Sequence, residues 1–145
     1  KVIDLAVHHV ETITAQVSIR ECAKAMRSHH VGSLVVVNEK NEPTGMITDR
    51  DVAIEVVATG RDADATSVGE VMSSPAVVTK GEENIIDALA RMREFGIRRL
   101  PVVDGEGKLV GVVTNSNMLE ELSMMLDSIV RDIKSSKTRE IAERP

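Results

Sequence analysis

One segment occurs twice in this chain. Gly45-Met46-Ile47-Thr48-Asp49-Arg50-Asp51 has an echo in Gly111-Val112-Val113-Thr114-Asn115-Ser116-Asn117. Thr48 and Thr114 lie 66 residues apart. The same offset pairs Ile19 with Ile85, Met26 with Met92, Leu34 with Leu100, Val36 with Val102, Val37 with Val103 and Gly45 with Gly111, without a gap from residue 18 to 51. Identities held in register over such a period mean a duplicated supersecondary unit. The fold must therefore be two copies of one unit. At 145 residues and 42% hydrophobic, both fit in one compact domain of ordinary size.

Each copy reads as β-α-β-β-α. In the first, Glu11 to Thr14 is a short strand. Ser18 then caps a helix, with Glu21 three residues on as a capping box. Ile19, Cys22, Ala23 and Met26 follow on one helical face. The helix is expected to end near Ser28 to His30. Ser33 to Val37 is a β-branched run suited to a buried strand. After the turn at Glu39 to Pro43, Thr44 to Thr48 returns as a strand, and Asp49 to Ala58 is a helix closed by Gly60. Residues 2–9 form an arm ahead of this unit, and Arg61 to Thr66 a polar linker behind it.

Ser67-Val68-Gly69-Glu70 repeats the capping-box pattern and opens a short helical turn. Ala76 to Thr79 is the next strand. Ile85, Ala88, Leu89 and Met92 then restate the first helical face, and Leu100 to Val103 and Leu109 to Val113 flank the Asp104–Gly107 turn. A last helix is expected from near Ser116 to about Ile133, with a frayed polar end from Ser135 to Pro145. Leu119, Leu122, Leu126, Ile129 and Ile133 give it a heptad seam, flanked by Met118 and Met125. That seam fits either packing on the domain's own core or a subunit interface. The fold class is thus α/β (α+β): two tandem β-α-β-β-α repeats with a longer C-terminal helix. Residues 1–66 hold the arm and first repeat, and 67–145 the second repeat with the helix and tail.

Composition excludes some functions. The formal net charge of −5 is opposite to the basic face of a nucleic-acid binder. With no Trp or Tyr and only Phe95, platforms for stacking bases are missing. No apolar run approaches the ~20 residues of a membrane span. The lone Cys22 rules out an internal disulfide and fits a reducing, cytoplasmic compartment. His8-His9 and His29-His30 lack the Cys or carboxylate partners of a tetrahedral metal set, so no metal is expected. His29 and His30 are read as binding the carbonyls at their helix end. Gly105-x-Gly107 lies in a hairpin turn and does not open a helix, so it is no dinucleotide fingerprint. No paired catalytic groups converge, and an enzyme is not expected.

The chemistry sits at the two strand-to-helix corners. A helix start exposes backbone N–H groups and partial positive charge, a seat for anions. Thr48 offers a hydroxyl, Asp51 an acceptor for a ribose diol, and Arg50 a charge for phosphate. Motif and spacing alone favour a purely structural cap for Thr48 and Asp51. In the second corner Thr114 matches Thr48, while Asn117 replaces Asp51 and forgoes its charge. This copy has Arg98-Arg99 where the first has Gly32-Ser33, and a planar guanidinium suits phosphate. Unequal sites are expected: one stronger for ribose, the other for phosphate.

A tandem β-α-β-β-α unit with Gly-x-x-Thr-x-x-Asp closing the first copy resembles the CBS domain pair, a family named after cystathionine β-synthase. Val31-Gly32-Ser33-Leu34-Val35-Val36-Val37 is similar to its first-repeat strand, Ile97-Arg98-Arg99-Leu100-Pro101-Val102-Val103 to its second, and Thr48-Asp49-Arg50-Asp51 to its nucleotide motif. The likeness spans roughly residues 10–122. It implies a pseudo-two-fold pair with two clefts binding adenosine-containing ligands: AMP, ADP, ATP, S-adenosylmethionine or NAD(H). It also implies a regulatory or sensor role, a homodimer formed through helices, and a regulated protein partner. Gly32, Ser33, Ile97 and Pro101 are then expected at the clefts, with Thr14 and Thr79 from the first strand of each repeat. The competing reading is a ligand-free scaffold for protein interaction.

Overall fold

The computed structural model describes residues 1–143, with side chains to residue 139. Its elements are α1 (Val2–Leu5), β1 (Thr12–Ile13), α2 (Ile19–His29), β2 (Ser33–Val37), β3 (Pro43–Thr48), α3 (Asp49–Val52), α4 (Val68–Val71), β4 (Thr79–Lys80), α5 (Ile85–Phe95), β5 (Arg99–Val103), β6 (Leu109–Thr114) and α6 (Asn115–Glu143). The β-α-β-β-α order of both repeats is present. Each repeat makes a three-stranded sheet, β1-β2-β3 and β4-β5-β6, with the outer pair antiparallel and the first strand parallel to the middle one. The registers match across the duplication: Ser33 faces Thr48 as Arg99 faces Thr114, and both sheets shift register at equivalent valines.

The cores cross between the repeats. One cluster joins Ala88, Met92, Leu100, Val102, Val113 and Met118 of the second repeat with Val2 and Ala6 of the arm. The other joins Ile19, Cys22, Leu34, Val36, Ile47 and Val56 with Val68 of α4. The arms also lengthen the opposite sheets, through bridges Val7–Val112 and Met46–Ser73. Glycine permits both crossings. A Cβ on Gly45 would stand 2.6 Å from the Ser73 carbonyl oxygen, and one on Gly111 2.9 Å from that of Val7.

Several local expectations change. Ser18 Oγ accepts from the Glu21 N–H, but Glu21 pairs with Lys24 and not back to the cap. α2 ends with His30 in the left-handed region (φ 54°), its N–H on the Met26 carbonyl, while His29 turns toward Glu11. After α3 the chain widens into a π-helical turn over Ala53–Val57. Residues 61–66 are more than a linker: the Ala63 and Thr66 carbonyls accept the first N–H groups of α2, and Thr66 is buried. The strand expected at Ala76 begins only at Thr79. α6 does not stop at Ile133 but continues through Glu143, a stretch with no Gly or Pro to end it. Pro145, the end of the expected frayed tail, lies outside the described residues.

A partly buried network distinguishes the second repeat. The buried Thr79 hydroxyl donates to Glu83 (3.1 Å), and Arg91 donates to Glu83 (2.9 Å) and to the Val78 carbonyl (2.8 Å). At the same offset the first repeat has Ile13, Val17 and Ala25, which pack on its core. Burial alone pushes the Glu83 carboxyl up, but bonds from Arg91, the Lys80 N–H and Thr79 outweigh it and hold the group below the usual carboxylate range. A carboxyl lowered in the folded state stabilises above its ordinary value of about 4.3, and loses that contribution as pH falls through the folded value. Glu83→Ala should therefore cost about 2 kcal/mol in urea unfolding at pH 7, because Thr79 and Arg91 lose their acceptor. Glu83→Gln should flatten the loss of stability seen below about pH 5. An unchanged acid limb in that variant would discount the network.

Candidate functional site

Both strand-to-helix corners open onto clefts. The first, about 620 Å³, is lined by Gly32, Ser33, Thr48, Arg50 and Asp51 on one side and Ile97, Arg98 and Arg99 on the other. The crossing arm closes it with Ser73, Pro75, Ala76 and Val77. The second, about 540 Å³, brings Thr114 and Arg99 against Val31, Gly32 and Ser33, under the other arm with Val7, His9, Val10 and Glu11. The two arms correspond at the 66-residue offset, Ser73 to Val7 and Val77 to Glu11. Motif reading does not reach these roof residues, which the crossing of the arms places. Ser33 and Arg99 line both clefts, where the repeats meet.

The helix-start seat is already filled in the first corner. The Asp49 N–H donates to the Gly32 carbonyl (2.9 Å), the Arg50 N–H to Asp49 Oδ1 (2.8 Å) and the Asp51 N–H to Thr48 Oγ1 (3.1 Å). Asp51 Oδ2 in turn accepts the Thr48 N–H (2.9 Å), completing a capping box. Asp51 Oδ1 and the Thr48 hydroxyl hydrogen have no partner among the described residues. Charge for an anion must come from side chains. Arg50, Arg98 and Arg99 are exposed and make no ion pair among the described residues.

The second corner copies the box with a different remainder. The Thr114 N–H donates to Asn117 Oδ1 and the Asn117 N–H to Thr114 Oγ1, both at 3.1 Å. With its oxygen committed, Asn117 has only its amide N–H groups to offer, a donor where Asp51 leaves an acceptor. The arginines are not confined to this corner. Arg98 and Arg99 line a small recess with Thr114, Asn115 and Ser116, but they also face Asp51 across the first cleft. Arg98 and Arg99 thus share the first cleft with Thr48 and Asp51.

Four expected residues lie elsewhere. Thr79 is buried on Glu83, and Thr14 lines a separate depression beside Val37 to Lys40. Pro101 is buried within β5, and Asn117 lines neither cleft. The two threonines are not equivalent positions, since sheet geometry matches Thr79 to Ile13. His9 and His29 both approach Glu11 Oε1, at 2.9 and 3.4 Å. Among the described residues, no group of three or more His, Cys, Asp or Glu side chains is arranged to hold a metal ion.

The family model for the CBS domain matches residues 2–58 and again 68–124. The chain belongs to the CBS domain family. An uncharacterised protein of Methanopyrus kandleri is 40% identical over 79% of this chain, which spans 58% of that protein's length. CBS domain-containing protein YhcV of Bacillus subtilis is 41% identical over 76% of both chains. Among solved structures, a CBS domain pair in complex with 5′-methylthioadenosine and S-adenosyl-L-methionine superposes with TM-score 0.74, at 25% identity over 86% of this chain and 96% of the other. Hypoxic response protein I with two coordinated zinc ions gives TM-score 0.74 at 28% identity, over 82% and 96%. In this CBS pair no described helix is long and apolar enough to cross a membrane.

Proposed function

We propose that this CBS pair is a non-catalytic regulatory module that binds an adenosine-containing ligand in the Thr48–Asp51 cleft. The observation that carries this reading is the convergence, in about 620 Å³, of an acceptor, a hydroxyl and three exposed guanidinium groups from both repeats that make no ion pair among the described residues. Asp51 Oδ1 and Thr48 take the ribose hydroxyls. Arg50, Arg98 and Arg99 take phosphate, the backbone seat being spent. Pro75, Ala76, Val77 and Ile97 form an apolar slot for the base. The ligand class is AMP, ADP, ATP, NAD(H) or S-adenosylmethionine, the last bound by a structural relative. Such a ligand acts on a regulated partner only through different affinities for two states of the module. We further propose self-association through exposed helical faces, and a cytoplasmic setting, which the free Cys22 fits.

One observation favours a second reading. Thr48 and Asp51 pair with one another in the capping box, a structural role that needs no ligand. Thermal unfolding with AMP, ATP, S-adenosylmethionine and NADH separates the two. A ligand at about 100 times its Kd adds about 2.7 kcal/mol, a rise in Tm of several degrees. No rise with any of the four at millimolar concentration would leave the scaffold.

A further inference from the structure

We propose that α6 pairs with α6 of a second copy in antiparallel orientation, tying two CBS pairs together end to end along this helix. The proposal rests on the self-association proposed above and adds its surface and direction. Met118 is buried in the second core, but beyond it no described residue of α6 is buried. Leu119, Leu122, Met125, Leu126, Ile129, Val130 and Ile133 are all at least 41% exposed. At 3.6 residues per turn they share one face, and own-core packing does not cover it. Two heptads are short for an isolated coiled coil. Seven apolar side chains from each of two copies nevertheless bring the contact toward the ~1,000 Å² of a specific interface.

Charge selects the occupant and the direction. Residues 120–128 carry Glu120, Glu121 and Asp127 and no basic residue. Residues 131–139 carry Arg131, Lys134, Lys137 and Arg139 against Asp132. The stretch 120–128 is acidic and the stretch 131–139 basic, so the best complement of residues 120–139 is the same stretch reversed. Antiparallel heptads set Leu126 against Ile129 of the second copy and Leu122 against its Ile133, bringing Glu120 and Glu121 level with its Lys134. Parallel pairing would align like charges and like helix dipoles. A basic apolar helix also fits a lipid surface, but the acidic half opposes an anionic one.

Sedimentation of the whole chain, followed by oxidative cross-linking of cysteine variants, tests this. The buried Cys22 thiol, its pKa pushed up by burial, does not compete. The expected result is a dimer that Leu126→Glu weakens on the order of 100-fold, with AMP-induced stabilisation unchanged. A mixture of Leu122→Cys and Ile133→Cys proteins should form the heterologous disulfide, and Leu122→Cys alone should not. Self-linking of Leu122→Cys would overturn the orientation while leaving self-association intact. A monomer at about 100 μM would overturn both, as would a monomer that binds phosphatidylserine vesicles through α6.

Discussion

Gly45→Ala should destabilise the protein by about 2–4 kcal/mol, a large fraction of the stability of a domain this size. The added methyl would sit 2.6 Å from the Ser73 carbonyl oxygen and 2.8 Å from Met72 Sδ. The sulfur ends a flexible side chain and can yield. The carbonyl is backbone, held to β3 by Met46 N–H to Ser73 O at 3.1 Å and Ser73 N–H to Met46 O at 2.9 Å. Relief of the clash must lift the arm off the sheet, break both bonds and raise the Pro75–Val77 roof of the first cleft. Gly111→Ala should act similarly and more mildly, its nearest atom being 2.9 Å away. Gly105→Ala is the control: nothing lies within 4 Å and its φ is not positive, so stability should stay within about 0.5 kcal/mol. Urea unfolding of the three variants decides the matter. Equal stabilities would mean that the arm crossing contributes little.

Asp51→Ala and Asp51→Asn should both weaken AMP binding on the order of 10- to 100-fold, but only the first should lower stability, by about 1 kcal/mol. Alanine removes the ligand acceptor together with the cap on the Thr48 N–H. Asparagine keeps the cap, since its oxygen can accept that N–H as Asn117 does from Thr114. Its remaining atoms are then donors, and the ribose diol loses its acceptor. Arg98→Ala and Arg99→Ala should penalise AMP more than adenosine, because guanidinium groups address phosphate. Calorimetric titration of both ligands against all four variants is the test. Wild-type affinity for AMP in Asp51→Asn would remove the ribose role. Parallel losses of AMP and adenosine in both arginine variants would remove the phosphate role.

The sequence alone determined the duplication, the order of elements within each repeat and both capping corners. These are local or strictly periodic: β-branched runs, cap residues at fixed spacing and a constant offset of 66 are legible without knowing what touches what. Tertiary structure decided the rest. Val2 and Val68 read as members of their own halves, yet each is buried in the core of the other, because a short arm follows the apolar surface within its reach. The meeting of Arg98 with Asp51 across the first cleft likewise depends on elements distant in the chain. The helix-start N–H groups look open in sequence and are closed in space, since the Gly32 carbonyl that fills one comes from the turn just ahead of β2. A strand-to-helix corner is thus written locally. Whether it binds through backbone or side chains depends on which atoms the surrounding fold has already used.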